Sequence, residues 1–163
     1  MSGKLYFDGS CKQRREADLT RAAWAVVEVD HEGNETARLV GPIWAGLPQT
    51  AQASEYVAWA SAVQVLEGPS VLFGDCLNVV RDACADRQQA LSKKKMHAGA
   101  ALAAREAETF HFVVGTHWVK AHRSLSDDMD DETRLHVKAN DLADGHATVS
   151  YTHLRAHETE ADL

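Results

Sequence analysis

Apolar and polar positions follow two rhythms along this chain, and the rhythm changes at Pro48. Before it lie short runs rich in strand formers. Residues 4–7 form an apolar run that ends at Asp8-Gly9-Ser10, a turn signal. After a polar stretch, residues 22–29 carry Trp24, Val26, Val27 and Val29, which favour a strand. Glu32-Gly33-Asn34-Glu35 supplies a turn into a third β-rich run, residues 36–44. Three strands joined by short loops predict an antiparallel meander.

After Pro48 the period lengthens to 3.6 residues. Thr50 is placed to cap a helix over 51–66, with Tyr56, Trp59, Ala60, Val63 and Leu66 on its apolar face. Gly68-Pro69 stops it, and residues 70–73 read as a short buried strand that exits at Gly74-Asp75. Helices are predicted over 77–86 and 94–108, and a fifth strand over 110–119. A polar, acid-rich loop follows at 120–134, then a last helix over 135–148. The order predicts an α/β fold: one mixed five-stranded sheet, its first three strands antiparallel, flanked by helices. Trp24, Trp44, Trp59 and Trp118 are expected in the core. Residues 1–148 then form one domain. Residues 149–163 lose the pattern and are expected to be a disordered or non-native tail.

Composition narrows the class. The chain has 163 residues, 45% hydrophobic and 25% charged, which suits one globular core. No apolar run is long enough to span a bilayer, so no membrane partner is expected. Three cysteines without CxxC spacing argue against a disulfide framework or a structural zinc site. They favour a reducing compartment, cytoplasmic or nuclear. The net charge of -7 opposes tight non-specific binding of nucleic acid. Two divalent cations held by four carboxylates would neutralise about four of those charges.

The acids fall at informative places. Asp8 ends the first strand and Asp75 the fourth, where ligands of α/β sheets usually bind. Glu55 lies near the start of the first long helix. Asp144 shares a helix face with Asn140, four residues earlier; that spacing favours it over its rival, Asp141. Four carboxylates in one cleft repel one another unless cations separate them. Hard oxygen ligands suit Mg²⁺, with Mn²⁺ able to substitute, and two such ions can hydrolyse a phosphodiester.

These fragments together resemble type 1 ribonuclease H. They are Phe7-Asp8-Gly9-Ser10 after the first strand, and Thr50-Ala51-Gln52-Ala53-Ser54-Glu55 at the first helix. Leu72-Phe73-Gly74-Asp75-Cys76 follows the fourth strand, and Val119-Lys120-Ala121-His122 the fifth. Asn140-Asp141-Leu142-Ala143-Asp144 lies in the last helix. The resemblance implies a ribonuclease H-like fold and an endoribonuclease that cuts the RNA strand of RNA–DNA hybrids with two Mg²⁺ ions. It implies Asp8 bridging both ions, Asp75 and Glu55 on one side and Asp144 on the other. His122 would assist proton transfer or product release.

Hybrid contacts are expected from Gly9, Ser10, Cys11 and Gln52, and from Lys93, Lys94 and Lys95. Ala51 and Ala53 stand where family members often carry an asparagine and an arginine. The segment between Asp75 and Phe110 is too short for the extra basic helix of some members. A monomer is expected. The competing readings are a catalytically weak hybrid-binding module from a retroelement polyprotein and another nuclease on the same fold.

Overall fold

The computed structural model describes residues 1–12, 20–92 and 95–161, with the backbone alone beyond Ser150. Its five strands are β1 (Gly3–Lys12), β2 (Arg21–Val29), β3 (Glu35–Pro42), β4 (Ser70–Gly74) and β5 (Val113–Trp118). The helices are α1 (Ala51–Gln64), α2 (Leu77–Cys84), α3 (Arg87–Ala90), α4 (Ala98–Arg105) and α5 (Asp131–Ala161). The sheet order is β3-β2-β1-β4-β5. β1 pairs antiparallel with β2 and parallel with β4, and β4 pairs parallel with β5. The predicted mixed sheet with an antiparallel opening is the one observed.

Side chains alternate across β1 as the two-residue period requires. Leu5 and Phe7 join Trp59 and Val63 of α1 in one core layer, while Tyr6 joins Phe73, Ala139 and Ala143 in the other, beneath α5. In α5, Leu135, Ala139, Ala143 and Ala147 recur every four residues and are all buried. Small side chains let this helix lie close to the sheet. Thr50 caps α1 as expected, its hydroxyl accepting from the Ala53 N–H at 3.1 Å.

Several local expectations are corrected. β1 runs through Asp8-Gly9-Ser10 to Lys12 instead of turning, because β2 continues to pair with it, Asp8 opposite Ala25 and Lys12 opposite Arg21. Pairing over nine positions outweighs the turn preference of Asp-Gly. The helix expected over 94–108 is α4 alone, preceded by a turn. Phe110 and Phe112 sit in a 3₁₀ turn, Glu108–Phe112, and pack under the α1 layer, so β5 starts only at Val113. Trp44 is 76% exposed and Trp118 is 48% exposed; neither is a core residue. The final helix continues past Thr148 to Ala161. No proline follows, and Leu154, Arg155, Ala156 and Glu158 are good helix formers.

Candidate active site

Strand register brings the first two acids together. Phe7 of β1 pairs with Gly74 of the parallel strand β4, so Asp8 and Asp75 are each one residue past the same rung. Two close approaches tighten this corner. A Cβ on Gly74 would stand 2.4 Å from the Phe7 ring, and a Cβ on Gly9 would stand 2.3 Å from the Glu55 backbone nitrogen. Gly9 thus admits α1 directly onto β1, which places Glu55 beside Asp8. Both positions exclude any side chain without movement of backbone or ring.

Asp8, Glu55 and Asp75 offer carboxylate oxygens that all lie within 4.8 Å of one another. Asp8 and Glu55 are buried and Asp75 is half-buried. Burial, together with the negative charges of Asp75 and Asp144, pushes Asp8 up to about 7, partly offset by the Gly9 N–H. Glu55 is raised well above the ordinary carboxylate range by burial and then by Asp8 and Asp75. Asp75 is raised by burial, which outweighs the hydrogen bond from Asn140 and the nearby His122. Glu55 Oε2 is buried with no hydrogen-bond partner among the described residues.

An unpartnered buried oxygen amid mutually repelling acids fits a divalent cation. The donor set, all carboxylate oxygen, selects a hard ion such as Mg²⁺ or Mn²⁺.

Asp144 stands outside this tight group but acts on it: its charge raises both Asp8 and Asp75. Asp141 is exposed and is not among the leading charges on either. Of the two rivals, Asp144 is the one that faces the cluster. His122 is exposed, in the left-handed region at φ 50°, with Nδ1 3.9 Å from Asp144 Oδ2. It reaches this corner because Trp118 pairs with Gly74 and the Val119 N–H donates to the Gly74 carbonyl at 3.1 Å.

Two supporting residues were given no role at the site from sequence. Asn140 is buried and its amide donates to Asp75 Oδ2 at 3.3 Å. The Trp118 indole N–H donates to the Asp75 carbonyl at 2.8 Å. Asn140 was legible in principle, being four residues from Asp144 on the same helical face. Nothing in the sequence distinguishes Trp118 from a core tryptophan.

The expected hybrid contacts divide. Ser10 Oγ meets Thr148 Oγ1 at 3.2 Å, and the Cys11 thiol donates to the Gln49 carbonyl at 3.4 Å; both are half-buried along β1. Gln52 is exposed one turn before Glu55. It borders a cleft of about 290 Å³ with Asn78, Arg81, Lys95 and His97. Lys95 is not a free cation, because its ammonium pairs with Asp82, which also accepts from the Tyr56 hydroxyl at 2.6 Å. Lys93 and Lys94 lie outside the described residues. Among the described residues no helix is long and apolar enough to cross a membrane.

No family model matches the chain, and neither does any curated protein. Solved structures do. The chain is similar to prototype foamy virus protease–reverse transcriptase at TM-score 0.71 and 19% identity. That match covers 92% of this chain and 21% of the viral one, so the chain spans about a fifth of that protein. It is similar to the isolated PFV RNase H domain at TM-score 0.66 and 19% identity, covering 93% of this chain and 94% of the domain. It is also similar to LC11-RNase H1, solved in complex with an RNA/DNA hybrid, at TM-score 0.58 and 16% identity, with 93% and 97% covered. At such identities the likeness establishes the architecture, and the chain has a ribonuclease H-like fold.

Proposed function

We propose that this chain is a metal-dependent endoribonuclease that hydrolyses the RNA strand of RNA–DNA hybrids. The observation that carries the reading is the convergence of Asp8, Glu55 and Asp75 within 4.8 Å, with Asp144 facing them. These residues are far apart in sequence and come from β1, α1, the end of β4 and α5. The hybrid bound to LC11-RNase H1 supports the substrate class.

Asp8, Glu55 and Asp75 would hold divalent cations as the tight donor set, with Asp144 completing it from α5. When bound, a pair of such cations supplies an activated water and offsets charge on the leaving oxygen of a phosphodiester. The protein's own residues set the conditions. Burial and mutual repulsion favour the protonated forms of Asp8 and Glu55, so cations compete with protons there, which ties metal affinity to pH. Asn140 and Trp118 hold Asp75 in place from two sides. His122, exposed on its loop, would pass a proton near the leaving group. Gln52, Asn78 and Arg81 of the neighbouring cleft offer amides and a guanidinium to the strands of a hybrid.

The test is cleavage of an end-labelled RNA–DNA duplex by purified protein with Mg²⁺, beside duplex DNA and single strands. RNA-strand cleavage that chelation and Asp75→Asn both abolish supports the reading. Absence of cleavage, or cleavage that survives Asp75→Asn, overturns it. Metal-independent hybrid binding without cleavage would indicate a binding module.

A further inference from the structure

Not every cleft is used by the acids. Between the end of β5 and the first turns of α5 lies a cavity of about 230 Å³, bordered by Trp118, Lys120, Arg123, Thr133 and His136 among others. Among the described residues no acid lines it, in a chain whose net charge is -7. Lys120 and Arg123 are exposed, and neither makes an ion pair within 4.0 Å among the described residues. The acids nearby stand on the rim. Asp128 faces Arg123, Asp130 is occupied by the Thr133 N–H and hydroxyl, and the exposed Glu132 is 3.9 Å from His136 Nε2.

His136 adds an imidazole of fixed orientation. The buried Tyr6 hydroxyl lies 2.7 Å from His136 Nδ1. With Tyr6 donating, the ring hydrogen resides on Nε2, which has no hydrogen-bond partner among the described residues. The ring itself is wedged against Tyr6 and Phe73, with centroids 5.9 and 4.6 Å away, so it cannot turn freely. Trp118 contributes a half-exposed indole whose N–H is already spent on Asp75, leaving its ring for stacking.

We propose that this cleft is a second nucleotide subsite, holding a terminal phosphate between Lys120 and Arg123 with its base against Trp118. A phosphate monoester carries close to two charges and three acceptor oxygens, which matches two cations and an imidazole N–H. A base has a π-face for which an exposed tryptophan is the usual platform. The subsite extends the nuclease reading, because Trp118 is shared between this cleft and the Asp75 corner. A nucleotide held here would be the end of a cut strand lying beside the acids.

The experiment is done without metal, so it stands apart from cleavage. Adenosine 5′-monophosphate, adenosine, inorganic phosphate and a dinucleoside monophosphate lacking a terminal phosphate are titrated into the full chain in EDTA. The Trp118 indole and His136 ring resonances are followed by NMR. The expected result is that the 5′-monophosphate shifts both signals and binds tightest. Phosphate alone should move His136 without Trp118, and adenosine neither. Lys120→Ala combined with Arg123→Ala should raise Kd about tenfold or more, roughly 1.4 kcal/mol, at unchanged Tm. Equal binding of adenosine, equal binding of the unphosphorylated dinucleotide, or an unchanged Kd in the double variant would overturn the proposal. If nucleotide binds here but hybrid is never cut, the subsite stands and the nuclease reading falls.

Discussion

The two halves of the acidic site are built differently. Asp8 and Glu55 are buried where β1 and α1 touch through Gly9, with no room for a side chain between them. Asp144 and His122, by contrast, are 39% and 78% exposed and hang from the outer helix and a loop. The buried half has its geometry fixed by packing, and its charges are costly until something neutralises them. The open half is screened by water and free to adjust. A cation should therefore be captured mainly by the buried half, while the open half responds to substrate.

This contrast can be broken deliberately. The largest effect is expected from Asp8→Asn and Asp75→Asn, which remove carboxylates from the tight half. Hybrid cleavage should fall by about a thousandfold or more, on the order of 4 kcal/mol in transition-state stabilisation, with unchanged circular dichroism. Gly9→Ala should come next. A methyl group 2.3 Å from the Glu55 backbone must push α1 off β1, so thermal denaturation should show a loss of about 3 kcal/mol together with loss of cleavage.

Charge provides the third test. Asp8 at about 7 and Glu55 above its ordinary range mean that the folded, metal-free protein holds protons that the unfolded chain releases near pH 4. The stability these groups contribute is present at low pH and lost as pH rises through about 7. In EDTA, Tm should therefore fall from pH 5 to pH 8, and Asp8→Asn should flatten that fall. Added Mn²⁺ should restore Tm most at pH 8 and release protons on binding, measurable by calorimetry in buffers of different ionisation enthalpy.

The open half should give the smallest effects. Asp144→Asn is expected to slow cleavage about tenfold to a hundredfold, His122→Ala about tenfold, and Asp141→Asn not at all. Equal losses from Asp141→Asn and Asp144→Asn in steady-state cleavage would erase the distinction between the two helix acids.

The order of elements was legible because the period of apolar positions changes cleanly at Pro48, and because Thr50 and Gly68-Pro69 are strong local signals. The tight half of the site was legible too, since Asp8 and Asp75 follow buried runs and need only parallel neighbours to meet. What escaped depends on long-range pairing. β1 continues through Asp-Gly because β2 is there to pair with it, and Gly9 serves the approach of a helix that comes over forty residues later. The exposure of Trp44, in the loop after β3, and of Trp118, at the end of β5, likewise follows from their places in the fold, which residue type alone does not reveal. Phe110 and Phe112 read as alternating strand positions, yet packing under α1 draws them into a 3₁₀ turn.

A crystal structure of the full chain soaked in Mn²⁺, with anomalous scattering recorded at the manganese edge, would locate the cations among the acids. A strong peak is expected enclosed by Asp8, Glu55 and Asp75, and a second toward Asp144 that strengthens when hybrid is present. Manganese bound instead among the acids of residues 127–131, with the buried cluster still empty, would contradict that expectation.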